Sequence, residues 1–222
     1  MVRTIKVTGK GKFSVRPDTI CLKMCIRDLC DTYEDAIDQS GKRSDELREA
    51  ISVLGFQKSD LKTLDFGIDM KYDRFQEDSK RWKREFQGYQ YTHSIKLEFD
   101  SNNQLLGKVL RVLRGIPFHP EILIEYTVKD QEAAKCELLK QAVKDSRRKA
   151  EVLCEAAGVS LGEIITIDYS WGGLSLYSKL LDMTLDSDCE DDCVFQDEDL
   201  SLNIEPDDIS VSDTVTIIWG IE

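Results

Sequence analysis

Hydrophobic side chains alternate along the first 31 residues. Ile5, Val7, Phe13 and Val15 mark one period-two run, and Ile20, Leu22, Met24 and Ile26 a second. Successive side chains of a strand point to opposite faces, so this alternation predicts half-buried strands over 2–16 and 19–31. Pro17-Asp18 between them is a turn signal and predicts that the two strands pair as a hairpin. From residue 33 the period lengthens. Ala36, Ile37, Leu47, Ala50, Ile51 and Leu54 recur at helical spacing, with Thr32 as N-cap and Gly55 as C-terminal stop. Strand periodicity returns at Leu61, Leu64, Phe66, Ile68 and Met70, and again at Tyr89, Tyr91, Ile95, Leu97 and Phe99. The polar piece 73–88 between these runs reads as the far end of one long hairpin.

The second half repeats the mixture. Leu105, Leu106, Val109, Leu110 and Leu113 predict a helix over 102–114, closed by Gly115 and Pro117. Ile122, Ile124, Tyr126 and Val128 predict a strand. Ala134, Leu138, Ala142, Ala150, Leu153 and Ala157 predict the longest helix, 130–157, stopped by Gly158. Strands follow over 161–171 and 209–219, and the polar, acidic stretch 172–203 between them predicts a flexible loop. Helices mixed with antiparallel hairpins point to an α+β fold, with antiparallel sheets carrying helices on one face.

Gly9-Lys10-Gly11-Lys12 interrupts the first strand and raises the question of a phosphate-cradling loop. Such a loop needs a helix N-terminus and converging backbone N–H groups beside the phosphates. Here a second strand follows, so the glycines read as a bend or a close backbone approach.

Charge changes the picture in one place. The chain of 222 residues carries a net charge of −12, and residues 186–208 hold eleven carboxylates with no Lys or Arg. Removing those eleven leaves the remainder at −1, which supplies no long-range field for nucleic acid. No apolar run approaches the length of a membrane helix. The N-terminus enters the strand pattern directly, without a secretory signal pattern. The seven cysteines (21, 25, 30, 136, 154, 189 and 193) follow no disulfide framework. Together these features predict reduced thiols and a cytoplasmic location.

Four local features carry candidate chemistry. Cys189 and Cys193 stand among the carboxylates of 186–200, but a structural zinc site wants four N or S ligands, and the calcium-loop glycine is absent. A solvated acidic loop is expected instead, with no metal and no cofactor. His93 and His119 match no Ser-His-Asp or Cys-His pattern, which leaves them structural or surface roles and names no catalytic residue. Residues 79–86, SKRWKREF, interleave cations with Trp82 and Phe86 as a single-strand-binding platform would. One such patch on an acidic chain makes few phosphate contacts, so a hairpin tip with a solvated charge run is expected, with packing against a neighbouring subunit as a secondary reading. The small residues Ala150, Ala156 and Ala157 suit a helix laid closely on a sheet or across a subunit contact.

The same residues carry a resemblance. Ile5-x-Val7-x-Gly9-x-Gly11-x(5)-Pro17-Asp18 resembles the opening signature of the SIMPL-domain family. In order, 54–72, 88–99, 142–164 and 204–219 are similar to the family's later motifs, with Pro206-Asp207-Asp208-Ile209 where Pro-Gly-Glu-Ile is usual. The resemblance covers nearly the whole chain. It implies a single domain, 1–222, of two intertwined sub-domains, approximately 1–31 plus 115–222 and 32–114. It also implies a non-enzymatic homo-oligomeric scaffold or stress-related interaction module, without shared catalytic residues. The alternative is a small-ligand-binding protein or an unrecognised enzyme with a pocket between the two halves.

Overall fold

The structure is a computed structural model that describes residues 3–76, 82–169, 176–183 and 205–222. In chain order its elements are β1 (Thr4–Val15), β2 (Thr19–Cys30), α1 (Tyr33–Ser52), β3 (Leu61–Gln76), β4 (Trp82–Asp100), α2 (Asn103–Arg114), β5 (Glu121–Thr127), α3 (Gln131–Ala157), β6 (Leu161–Asp168), β7 (Ser178–Met183) and β8 (Ile209–Ile221). The fold is α+β, with two antiparallel-paired sheets. Two compact units share the chain: Met1–Asp18, Thr127–Ser178 and Pro206–Glu222 form one, Thr19–Tyr126 and Lys179–Glu205 the other. The divisions fall at 18/19 and 126/127, not at the expected 31/32 and 114/115. Strands β2 and β5 therefore belong with the hairpin and helices between them.

The first unit is a three-stranded sheet of order β1-β8-β6, with α3 on one face. The buried residues of α3 step by four: Ala134, Leu138, Ala142, Ser146, Ala150 and Cys154. Most are small, so the helix axis comes close to the sheet. Gly9 and Gly11 are where it touches. A Cβ on Gly9 would lie 2.0 Å from the Ala142 carbonyl oxygen, and one on Gly11 would lie 2.2 Å from that of Leu138. The glycines of the opening motif thus exist for close packing. Side chains of α3 also occupy the outer edge of β1. The Lys10 N–H donates to Asp145 Oδ2 (2.9 Å), and Lys149 Nζ donates to the Thr8 carbonyl (3.2 Å). Lys149, and after it the Lys10 N–H, holds the Asp145 carboxyl below its ordinary pKa. These contacts occupy backbone groups that an edge strand otherwise offers to another chain.

The expected β1–β2 hairpin does not form. β1 pairs with β8 from Thr4↔Gly220 to Val15↔Ile209, and β2 pairs with β4 from Thr19↔Asp100 to Cys30↔Tyr89. The Pro17-Asp18 turn connects the units instead of closing a ribbon. Asp18 is tied within the first unit, its N–H donating to the Thr127 carbonyl and its Oδ1 accepting from the Lys129 N–H (2.8 Å).

The second unit is a five-stranded sheet of order β3-β4-β2-β5-β7, with α1 and α2 covering one face. Its core joins Ile20, Leu22, Met24 and Ile26 of β2 to Leu47 and Ile51 of α1 and Leu106 and Leu113 of α2. The helix starts are capped as the sequence indicates. Thr32 Oγ1 accepts from the Asp35 N–H, and Asn102 Oδ1 accepts from the N–H groups of Gln104 and Leu105. Gly158 closes α3 in the left-handed region, at φ 68°. β7 corrects the expectation of an unstructured loop over all of 172–203. The acidic run 186–199, with Cys189 and Cys193, lies outside the described residues.

Candidate functional site

The most unusual surface of the second unit is the β3–β4 hairpin. The pairing of β2 with β4 ends at Cys30↔Tyr89, whereas β3 and β4 remain paired out to Gln76↔Trp82. The far end of the hairpin is therefore a two-stranded arm. A bulge marks where the arm leaves the sheet. Lys71 pairs with Gly88 and Tyr72 with Phe86, which leaves Gln87 as the extra residue. Gly88 has φ +141°, and a Cβ there would meet the Cys30 carbonyl oxygen at 2.4 Å. Only glycine fits where the end of β2 abuts the base of the arm.

One face of the hairpin is aromatic. Period two places Phe66, Ile68, Met70 and Tyr72 on the face that also carries Phe86 and Tyr89. Ring contacts join them: Tyr72 to Phe86 at 5.6 Å, Phe86 to Tyr89 at 5.3 Å, and Tyr89 to Tyr33 of α1 at 5.8 Å. Met70 is 57% exposed and Tyr33 52%, and Phe66, Tyr72 and Phe86 are each close to half exposed. A contiguous apolar strip of this kind marks an interaction surface, whereas isolated exposed apolar residues do not.

Behind the strip, His93 is a structural bridge. Its Nδ1 lies 3.1 Å from Ser40 Oγ of α1 and its Nε2 3.0 Å from Thr63 Oγ1 of β3, with the Phe66 ring edge-on at 5.4 Å. Burial, and after it the Arg48 charge, lowers its pKa from about 6.5. On acidification the unfolded chain therefore takes up this proton before the folded one does. The His93 contribution to stability is complete above about pH 6.5 and is lost as pH falls through the lower folded value. Denaturant midpoints measured from pH 7.5 to pH 5 should fall, and His93→Gln should flatten that slope. His119 lies elsewhere, before Pro120, with a positive φ of 37°. The structure does not bring the two histidines into one site.

The sheet face opposite the helices carries a cavity of about 400 Å³, lined in part by Lys23, Cys25, Arg27, Asp65, Ser94 and Glu121. All its lining residues belong to the second unit. Its two cations are already matched: Arg27 is 2.8 Å from Glu121, and Lys23 is 2.8 Å from the buried Glu125 carboxylate as an ion pair. Burial first, with Glu98 adding to it, pushes the neighbouring Cys21 thiol up to about 11, so it holds little thiolate. Of the basic stretch 79–86, residues 79–81 lie outside the described residues. Arg84 and Glu85 sit on the arm directly opposite Arg74 and Asp73. Among the described residues, no helix is long and apolar enough to cross a membrane.

Comparison with known proteins places this architecture. The family profile described as SIMPL, Protein of unknown function (DUF541), matches residues 5–219. A 26 kDa periplasmic immunogenic protein of Brucella abortus (strain S19) is 27% identical over 168 residues, covering 73% of this chain and 65% of its own length. A protein of the same description from Brucella melitensis biotype 1 is 25% identical over 166 residues, with the same coverage. The chain thus spans somewhat under two thirds of the length of these relatives. Both are described as periplasmic, which overturns the expectation of a cytoplasmic location. The inference from cysteine usage was weak for a physical reason. Cys21, Cys30 and Cys154 are buried, and buried free thiols are shielded from oxidants in any compartment.

Proposed function

Because the chain belongs to the SIMPL family, we propose that it acts as a non-enzymatic scaffold that assembles with copies of itself, with the β3–β4 arm as its contact element. The observation that carries this reading is the exposed aromatic strip, which runs alongside the end of β2 and continues onto the two-stranded arm at Tyr72 and Phe86. An isolated two-stranded hairpin is marginal in water, and this one turns Met70, Tyr72 and Phe86 outward. Covering that face removes apolar surface from water at about 25 cal/mol per Å² and supplies packing that the arm lacks alone. Of the two roles that the family resemblance implies, scaffold and stress-related interaction module, the strip favours the scaffold. Non-enzymatic action is in keeping with His93, whose ring nitrogens are both engaged by hydroxyls within the fold.

The test is the solution mass of the chain by size exclusion with light scattering. A single chain weighs 25.4 kDa. The expected result is a discrete multiple of that mass which persists at micromolar concentration. A strict monomer at the highest soluble concentration would sink the proposal.

A further inference from the structure

The charges at the two ends of the aromatic strip select its partner. Toward the tip, two residues beyond Tyr72 and Phe86 and on the same face, Arg74 lies directly opposite Arg84. Like charges in directly opposed positions destabilise a ribbon. Both side chains are exposed, and no ion pair within the described residues relieves them. At the base of the strip the sign reverses. Tyr33, packed on Tyr89 opposite Met70, opens α1, whose first turn carries Glu34 and Asp35 and is preceded by Asp31, all exposed. Asp35 is occupied by the Thr32 hydroxyl, while Asp31 and Glu34 have no cationic partner among the described residues.

A strip that is cationic at one end, apolar in the middle and anionic at the other is complementary to itself turned by half a revolution. We infer that two copies pair arm to arm about a twofold axis near Tyr72, strip against strip. The Arg74–Arg84 pair of each copy then meets Asp31 and Glu34 of the other. The spacing fits this arrangement. Arg74 and Met70 each lie two residues, about 7 Å, from Tyr72. An axis there carries Arg74 of one copy onto the level of Met70 of the other, beside its Tyr33. The apolar middle is buried symmetrically, as an isologous contact requires, and the charged ends fix the antiparallel register. This inference rests on the self-assembly proposed above and adds the partner surface and its register.

Charge exchange tests it. One variant carries Arg74→Glu with Arg84→Glu, and a second carries Asp31→Lys with Glu34→Lys. Each should weaken its own self-association about a hundredfold or more, because each places like charges in contact twice across the axis. Mixed in equal amounts, the two should associate again, since every contact in the mixed pair joins opposite charges. Light scattering of the wild type, each variant and the mixture reads all four states. If the wild type assembles and the arginine variant assembles equally well, the arm pairing is wrong while self-assembly stands. If both variants dissociate and the mixture does not recover, the assignment of partners is wrong. A monomeric wild type overturns this inference together with the reading it rests on.

Discussion

Replacing Gly9 with alanine should lower stability by about 3 kcal/mol or more, at the upper end of what overpacking costs. The added methyl would lie 2.0 Å from the Ala142 carbonyl oxygen and 2.5 Å from the Ser146 backbone nitrogen. Those are backbone atoms of a helix and cannot rotate away as a side-chain end would. Relief requires α3 to lift from the sheet, which would loosen Val7, Ala150, Val215 and Ile217 from their common cluster. It would also weaken the hold of Asp145 and Lys149 on the edge of β1. For a chain of this size the melting temperature should drop by about 6–12 °C at roughly 2–4 °C per kcal/mol. Gly11→Ala should behave alike, because its Cβ would meet the Leu138 carbonyl at 2.2 Å. The opposite sign is expected at Gly41, inside α1 with nothing within 4 Å of a new Cβ. There, alanine should stabilise by about 0.5–1 kcal/mol through helix propensity alone. Thermal melts of the three variants, run side by side, check both signs. Equal melting temperatures for Gly9→Ala and the wild type would refute the close contact.

In the arm-to-arm assembly proposed above, Phe86→Asp should leave a single chain of 25.4 kDa without unfolding it. Phe86 stands at the centre of the aromatic strip, with Tyr72 on one side and Tyr89 on the other. A carboxylate there would be buried without a partner on association, a cost of several kcal/mol at each of two symmetric positions. In the free chain the same residue is 45% exposed, so the charge remains in water and the fold tolerates it. The control is Asp73→Asn, on the opposite face of the arm and across from Glu85. It removes one member of a like-charge pair and should leave the mass unchanged. Light scattering gives the masses, and a circular dichroism melt shows whether the fold survives. An assembly that withstands Phe86→Asp would place the contact elsewhere on the molecule.

With the exception of β7, the sequence showed which segments are strands and which are helices, but not which strands are neighbours. β2 and α1 were legible because a half-buried strand needs side chains at period two and an amphipathic helix needs them near 3.6. Thr32, Gly55 and Gly158 were legible as boundaries because capping is local chemistry. The missed hairpin had no local signal. β1 and β8 lie some 200 residues apart, and a period-two pattern states only that one face is buried. The aromatic strip was partly legible. Phe66, Ile68 and Met70 were legible as a strand's apolar positions but not as an exposed face, because alternation looks the same whether a helix covers that face or stops short of it.

The sequence by itself determined the α+β class, the family, the helix boundaries and the acidic character of 186–208, since each depends on composition or on residues close together in the chain. Only the tertiary structure decided that it is α3 that Gly9 and Gly11 make room for, because that role depends on Ala142 and Leu138, well over a hundred residues away. It alone decided that His93 is a bridge between Ser40 and Thr63, and that the β3–β4 ribbon outruns β2 and exposes its aromatic face. These are matters of which surfaces meet, and hydrophobic burial does not act through sequence proximity. The same apolar side chain contributes to a core or to an interface according to what the folded chain sets against it.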